Sequence, residues 1–125
     1  MEKSNKKILV VEDESAVNYA LSLKFNLIKG VELFFAKDGE QGLNMALEKK
    51  PDLILLDIIM PKMDGIEMLK KLRQDNWGKN VKVIILSNLS HTDREREARE
   101  LGVEDYIIKA EWELEEVVKL VESKL

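Results

Sequence analysis

A chain of 125 residues with 45% hydrophobic content fits one domain built on one core, so residues 1–125 are read as a single unit with no output domain. Lys and Arg number 20 against 24 Asp and Glu, a formal net charge of −4. That balance argues against direct nucleic-acid binding, which calls for a basic surface. Cysteine is absent, which excludes a disulfide framework, a thiolate zinc site and thiol catalysis. No apolar run is long enough to span a bilayer, and the N-terminus is not followed by a signal-peptide core, so a cytoplasmic protein without membrane attachment is expected.

Ile8-Leu9-Val10-Val11 predicts a buried strand, stopped by Glu12-Asp13-Glu14. Residues 15–29 predict a helix, with Val17, Leu21, Phe25 and Ile28 at helical spacing and Gly30 as its stop. Residues 31–36 form the next strand. Asp38 with Gln41 reads as a capping box, opening a helix whose inward stripe is Leu43, Ala46 and Leu47. Pro51-Asp52 restarts the chain into a strand over 53–57. Asp64 with Glu67 is a second capping box, with Ile66, Leu69 and Leu72 turned inward. Trp77-Gly78-Lys79-Asn80 is a turn in which Trp77 packs locally, and 81–86 is a strand. Ser90 with Asp93 is a third capping box. Residues 104–108 make the last strand and 112–125 the last helix. The fourth helix stands apart, because between 91 and 101 only Ala98 and Leu101 are apolar. Tertiary packing holds such a helix weakly. It reads equally as a solvated helix, with pairs such as Glu95–Arg99 worth about 0.2–0.5 kcal/mol, and as a low-stability switching element.

Strand and helix alternate five times with short connections, which predicts a parallel sheet with helices on both faces. All strand C-termini then share one edge. The groups delivered there are Glu12 and Asp13, Asp57, Ser87 and Lys109. Asp57 follows Leu53-Ile54-Leu55-Leu56, and an ionised carboxylate beside four buried aliphatics requires compensation at the strand end. Three carboxylates in one place call for a cation, and Mg²⁺ takes carboxylate and carbonyl oxygens together with phosphate. Lys109 adds a positive charge and Ser87 a hydroxyl donor. The set describes a pocket for a phosphoryl group beside a metal, with Asp57 as nucleophile.

These residues carry a resemblance. Ile8 to Asp13, Leu55-Leu56-Asp57 with Met60-Pro61-Lys62-Met63-Asp64-Gly65, Val83-Ile84-Ile85-Leu86-Ser87, and Gly102-Val103-Glu104-Asp105-Tyr106-Ile107-Ile108-Lys109 resemble the receiver domain of two-component response regulators, in the stand-alone, chemotaxis-regulator-like form. The resemblance covers the whole chain. It implies a flavodoxin-like, doubly wound (βα)₅ fold with a five-stranded parallel sheet in the order 2-1-3-4-5. It implies that Asp57 is the phosphoacceptor, served by a sensor histidine kinase or a phosphotransfer protein in a phosphorelay. It implies Mg²⁺ held by Asp13, Asp57 and the backbone carbonyl of Ile59, with Glu12 acting mainly through water. Lys109 would pair with the phosphate, Ser87 would turn towards the acyl phosphate, and Tyr106 would rotate inward behind it. A downstream protein would read the changed surface of the fourth helix, last strand and last helix, and a phosphorylation-dependent homodimer is a further partner of that kind. The protein would be a switch rather than an enzyme, with only self-catalysed transfer and dephosphorylation.

The chain departs from that family at four places. Ala110 stands where Pro usually follows the lysine. A cis bond before a non-proline costs ~2.5–4 kcal/mol, so a trans Lys109–Ala110 bond is expected. Asn88 stands where a small residue is usual and is expected to hinder donors or water. Ile59 and Leu89, at positions that tune phosphoryl lifetime, are apolar and cannot orient a hydrolytic water, so slow self-dephosphorylation is expected. His91, the only histidine, is read as an exposed residue without a site role, and Trp112 as packing locally rather than as an output-surface aromatic. An aspartate-nucleophile phosphatase would place a second Asp where Ile59 stands. Nucleotide readings fail for want of a glycine-rich phosphate loop after a strand. The remaining alternative is a phosphorylation-independent, receiver-like interaction module.

Overall fold

The computed structural model describes residues 5–89 and 92–125. Its elements are β1 (Lys6–Val11), α1 (Ser15–Phe25), β2 (Val31–Ala36), α2 (Gly39–Lys49), β3 (Leu53–Leu56), α3 (Gly65–Gln74), β4 (Lys82–Ser87), α4 (Asp93–Glu100), β5 (Asp105–Ile108), a 3₁₀ turn (Lys109–Glu111) and α5 (Leu114–Lys124). The five strands pair in parallel in the order β2-β1-β3-β4-β5, as the resemblance implied.

The pleat divides the strand residues between two cores, because successive side chains point to opposite faces. Ile8 and Val10, Leu53 and Leu55, and Ile84 and Leu86 pack with Leu21 and Phe25 of α1 and Val117, Val118 and Val121 of α5. Leu9 and Val11, Ile54 and Leu56, and Val83 and Ile85 pack with Ala46 of α2, Ile66, Met68, Leu69 and Leu72 of α3, and Ala98 of α4. Burial on both faces is why β1, β3 and β4 read as near-continuous apolar runs. Strand order reverses between β1 and β3, and the crevice outside their C-terminal ends is where open sheets of this kind bind ligands.

Several predicted boundaries and contacts shift. Helix α1 ends at Phe25, not at 29, because Leu27 N–H turns to the Lys24 carbonyl at 3.3 Å and Ile28 N–H to the Phe25 carbonyl at 3.0 Å. This tighter winding leads to Gly30 at φ 81°. In α2, Leu47 is 37% exposed, and Gly39, Gly42 and Ala46 make the buried contact instead. The helix lies too close for larger groups: a Cβ on Gly42 would stand 2.8 Å from Val11 Cγ1 and 3.0 Å from Met68 Sδ. The same helix start abuts the loop after β3, where Gly39 N–H donates to the Met63 carbonyl at 2.8 Å and a Cβ on Gly39 would overlap that oxygen.

Strand β3 stops at Leu56 and leaves Asp57 one step beyond, while β4 runs one residue further than expected and ends on Ser87. The last helix starts at Leu114 rather than 112, with Glu113 N–H held by Glu116 Oε1 at 2.9 Å. Trp112 precedes it and lines an apolar hollow of ≈ 190 Å³ with Val17, Leu86, Leu114 and Val117, yet stays 37% exposed, so the local packing expected of it is met only in part. Trp77 likewise packs, partly buried, against the core. The predicted cap Ser90 and the lone His91 lie outside the described residues. Thr92 is the N-cap of α4, its Oγ1 accepting the Glu95 N–H at 3.2 Å.

Arg73 was not singled out from sequence. It donates to the carbonyls of Gly78, Val81, Leu101 and Gly102, tying α3 to the turns before β4 and after α4.

Candidate functional site

Asp57 N–H extends the β1–β3 ladder by donating to the Val11 carbonyl at 2.9 Å, which fixes the residue at the sheet edge. Its Oδ1 accepts Ile58 N–H at 2.7 Å and its Oδ2 accepts Lys109 Nζ at 3.2 Å. These bonds are the compensation that a carboxylate only 6% exposed requires.

Glu12, at the end of β1, is 2% exposed. Its Oε2 accepts Glu14 N–H at 3.0 Å, and Asn18 Nδ2 of α1 donates to its backbone carbonyl at 2.9 Å. Lys109 Nζ lies 2.6 Å from Glu12 Oε1 and 2.9 Å from Glu14 Oε1, so one ammonium serves three carboxylates. Burial opposes the Lys109 charge. Hydrogen bonds to Glu12 and Glu14 and the field of Asp57 outweigh that and raise its pKa above the ordinary lysine value, so it stays an ammonium.

Glu12 responds the other way. Burial pushes its carboxyl from 4.5 up to about 7, against the bonds from Lys109 and the Glu14 N–H, and the Asp57 charge adds to the rise. A raised folded-state pKa means that the native protein holds the proton more tightly than the unfolded chain. The resulting stabilisation is complete below pH 4.5 and is lost as pH climbs through about 7. In metal-free buffer, urea unfolding should therefore show stability falling between pH 5 and 8, by at most about 3 kcal/mol from this group. Glu12→Gln should flatten that slope. Equal slopes in the two proteins would show that burial does not set this carboxyl.

Glu12, Asp13 and Asp57 each bring one oxygen to within 4.8 Å of the others. Glu12 Oε1 is buried and ion-paired, yet receives no well-directed hydrogen bond. Hard oxygen donors with lone pairs to spare are what a divalent cation of the Mg²⁺ or Ca²⁺ type takes, so these residues fit one.

Ser87 is 1% exposed and ends the β4–β5 pairing opposite Ile108. Its Oγ accepts Leu89 N–H at 3.3 Å, which leaves the hydroxyl proton to donate elsewhere. Tyr106 OH donates to the Leu89 carbonyl, and Arg99 stands 5.5 Å over its ring. Burial first, then Glu95 and Asp57 against Arg99, pushes the Tyr106 phenol up to about 12. The Lys109–Ala110 bond is trans, as expected. Ala110 N–H donates to Asn88 Oδ1 at 3.0 Å.

Asp13, Glu14, Asp57, Ile59, Ser87, Asn88 and Lys109 line one cleft of ≈ 280 Å³. Leu89 and Tyr106 do not line it. The Leu89 side chain packs against the core, and its backbone makes the contacts to Ser87 and Tyr106. Glu14 and Asn18 join the site unannounced. Glu14 sat in an acidic run read as a strand stop, and Asn18 within a helix pattern gave no signal. A larger hollow of ≈ 470 Å³ at the opposite sheet edge, between Lys50, Asp52, Trp77 and Lys82, brings no comparable carboxylate cluster together.

The loop from Asp57 to α3 is held by close backbone contact. A Cβ on Gly65 would overlap the Asp57 carbonyl oxygen and stand 2.9 Å from Ile58 Cα. Gly65→Ala should cost about 2–3 kcal/mol in urea unfolding, in the range of core overpacking. Gly102→Ala, at φ +77° with open space around it, should cost about 1 kcal/mol. Equal costs at the two positions would refute the wedge.

Residues 8–122 match the response regulator receiver domain family. The chain belongs to that family. Receiver domains are phosphoacceptor switches of two-component signalling rather than classical enzymes, and they interact with histidine kinases or phosphotransfer proteins. It is 35% identical to sporulation initiation phosphotransferase F of Bacillus subtilis, over 97% of this chain and 94% of that protein. It is 43% identical to the alkaline phosphatase synthesis transcriptional regulatory protein PhoP of the same organism, over 84% of this chain and 42% of PhoP. The chain thus spans less than half the length of the curated transcriptional regulators it matches. Among solved structures, the receiver domain of Francisella response regulator 1452 superposes with a TM-score of 0.84 at 33% identity, covering 96% of each chain. A CheY-like receiver domain protein from Methanospirillum hungatei superposes with a TM-score of 0.86 at 25% identity, covering 97% of this chain and 94% of that one. Among the described residues, no helix of this receiver domain is long and apolar enough to cross a membrane.

Proposed function

We propose that Asp57 accepts a phosphoryl group from a phosphohistidine on a sensor kinase or phosphotransfer protein, in a Mg²⁺-dependent reaction, and that residues 1–125 act as one cytoplasmic receiver. The observation that carries this is Lys109 Nζ bridging Glu12 and Asp57 at the mouth of the cleft that Ser87 also lines.

An Asp57 carboxylate oxygen attacks phosphorus. The P–N bond breaks as the O–P bond forms, and the imidazole nitrogen keeps the electron pair. Lys109, already held as an ammonium, takes the charge that appears on the phosphoryl oxygens, and the Ser87 hydroxyl donates to one of them. Asp13, Asp57 and the Ile59 carbonyl, with Glu12 through water, would hold Mg²⁺, which supplies charge neutralisation during transfer. Loss of the phosphoryl group is self-catalysed and slow, because the Ile59 side chain at the cleft wall carries no polar atom to aim water. Leu89, facing the core, contributes nothing to that wall.

Readout runs through Ser87, the Leu89 backbone and Tyr106 to the α4-β5-α5 surface, where a downstream protein or a second copy of the chain binds. Helix α4 suits this role because only Ala98 of it is buried. Incubation with Mg²⁺ and acetyl phosphate should add one phosphoryl group by intact mass, labile to hydroxylamine and absent with chelator. No gain from a sample that demonstrably binds Mg²⁺ would favour the phosphorylation-independent module.

A further inference from the structure

We propose that Asn88 is a positioning residue for Lys109, acting as a side-chain rung that extends the pairing of β4 with β5 beyond its last backbone register; this rests on the phosphoacceptor reading of the site.

The backbone register of the two strands ends at Ser87 opposite Ile108. The next residues, Asn88 and Lys109, lie beyond that register, and Lys109 opens a 3₁₀ turn. The first amides of such a turn have no partner within it, and the residue before it, Ile108, provides no side-chain cap. Asn88 Oδ1 reaches across from the β4 side and accepts the Ala110 N–H at 3.0 Å. It thereby caps the turn from another segment, as an Asn would from the N-cap position.

The consequence falls on Lys109. On one side its backbone is fixed by the end of β5, and on the other the first amide after it is fixed by Asn88. Its side chain must then place one ammonium within 2.6–3.2 Å of Glu12, Glu14 and Asp57. A small shift of the main chain at 109–110 moves Nζ off one of these carboxylates, and misplacement on the ångström scale is costly when the group acts through position. The Asn88 amide therefore aims the lysine, although Asn88 also lines the cleft. Asn88 is also the residue between Ser87 and Leu89, whose backbone N–H is held by Ser87 Oγ and whose carbonyl by Tyr106 OH. A movement of Ser87 towards a phosphoryl oxygen then reaches the lysine through the Asn88–Ala110 bond as well as through the strand pairing with Ile108.

Obstruction of the cleft by Asn88 makes the opposite prediction. Removing an obstruction speeds uptake from a small donor, whereas removing an aiming bond slows it. In Asn88→Ala, the maximal rate of uptake from acetyl phosphate with Mg²⁺ should fall about five-fold, with the half-saturating donor concentration unchanged. Amide exchange followed by NMR should show faster exchange at Ala110. Asn88→Asp, which keeps the acceptor, should restore Ala110 protection. Uptake equal to or faster than wild type in Asn88→Ala, or an Ala110 amide indifferent to the substitution, overturns the proposal. A wild-type protein that takes up no phosphoryl group counts against the phosphoacceptor reading instead, and the Ala110 exchange then still decides whether Asn88 holds the turn.

Discussion

Asp57→Asn should abolish phosphoryl uptake, by at least about 10³-fold, as expected when a nucleophile is removed outright. Asn fits the volume, and its Oδ1 can still accept the Ile58 N–H that Asp57 Oδ1 accepts at 2.7 Å. That bond fixes the amide orientation, so Nδ2 faces Lys109 where a carboxylate oxygen stood 3.2 Å away. Two donors then meet, and the lysine is left to Glu12 and Glu14. Stability should change by less than about 1 kcal/mol, because a like-charge neighbour of Glu12 is lost along with an ion pair. Intact mass after incubation with Mg²⁺ and acetyl phosphate reads the result, with urea unfolding as the check on folding. A hydroxylamine-labile mass gain persisting in Asp57→Asn would place the acceptor elsewhere.

Lys109→Met should separate metal binding from transfer. It keeps the apolar stem and removes the charge, so the three carboxylates lose their common counterion. Uptake should fall about 10²–10³-fold, the usual cost of removing one group that stabilises developing charge. Mg²⁺ should bind about ten-fold more tightly, equivalent to about 1.4 kcal/mol, because the ammonium no longer competes for Glu12 and Asp57. The metal-free protein should lose about 2–3 kcal/mol. That is less than a fully enclosed set would lose, since one of the three partners, Glu14, is open to water. Part of the loss should return on adding Mg²⁺. Calorimetric titration of Mg²⁺ and initial uptake rates together decide the matter: weaker metal binding accompanied by slower uptake would mean that Lys109 helps hold the metal's ligands in place rather than competing with it.

The layer order of the fold was legible because β1, β3 and β4 are apolar on both faces, and nothing but a covered parallel sheet explains such runs at this spacing. Asp13, Asp57, Ser87 and Lys109 were legible as a set for the same reason, since parallel strands deliver their C-terminal residues to one edge. What could not be read lay in contacts without sequence periodicity. Leu47 carries the apolar signal of α2, yet Gly42 makes the contact, because the distance between α2 and β1 is set by what faces it across the core. Glu14 looked like a strand stop until the turn folded it back over Lys109. Asn88 was expected to act by bulk, and the structure shows it accepting a hydrogen bond from a residue 22 positions away. Leu89 was expected at the phosphoryl group, and its side chain turned to the core on the face that Val83 and Ile85 occupy, the face that continued alternation past Ser87 assigns it.

The glycine contacts on one side of the cleft make the site mechanically lopsided. Gly39 against Met63 and Gly65 against Asp57 bring main chain onto main chain, and Gly42 sits directly on the Val11 and Met68 side chains, leaving little free space on that side to compress. Across the cleft, α4 buries only Ala98. A push originating at Asp57 meets a stiff wall towards α2 and α3 and a compliant one towards α4. The displacement has one direction in which to go, much as a valve seat lets fluid through on one side alone.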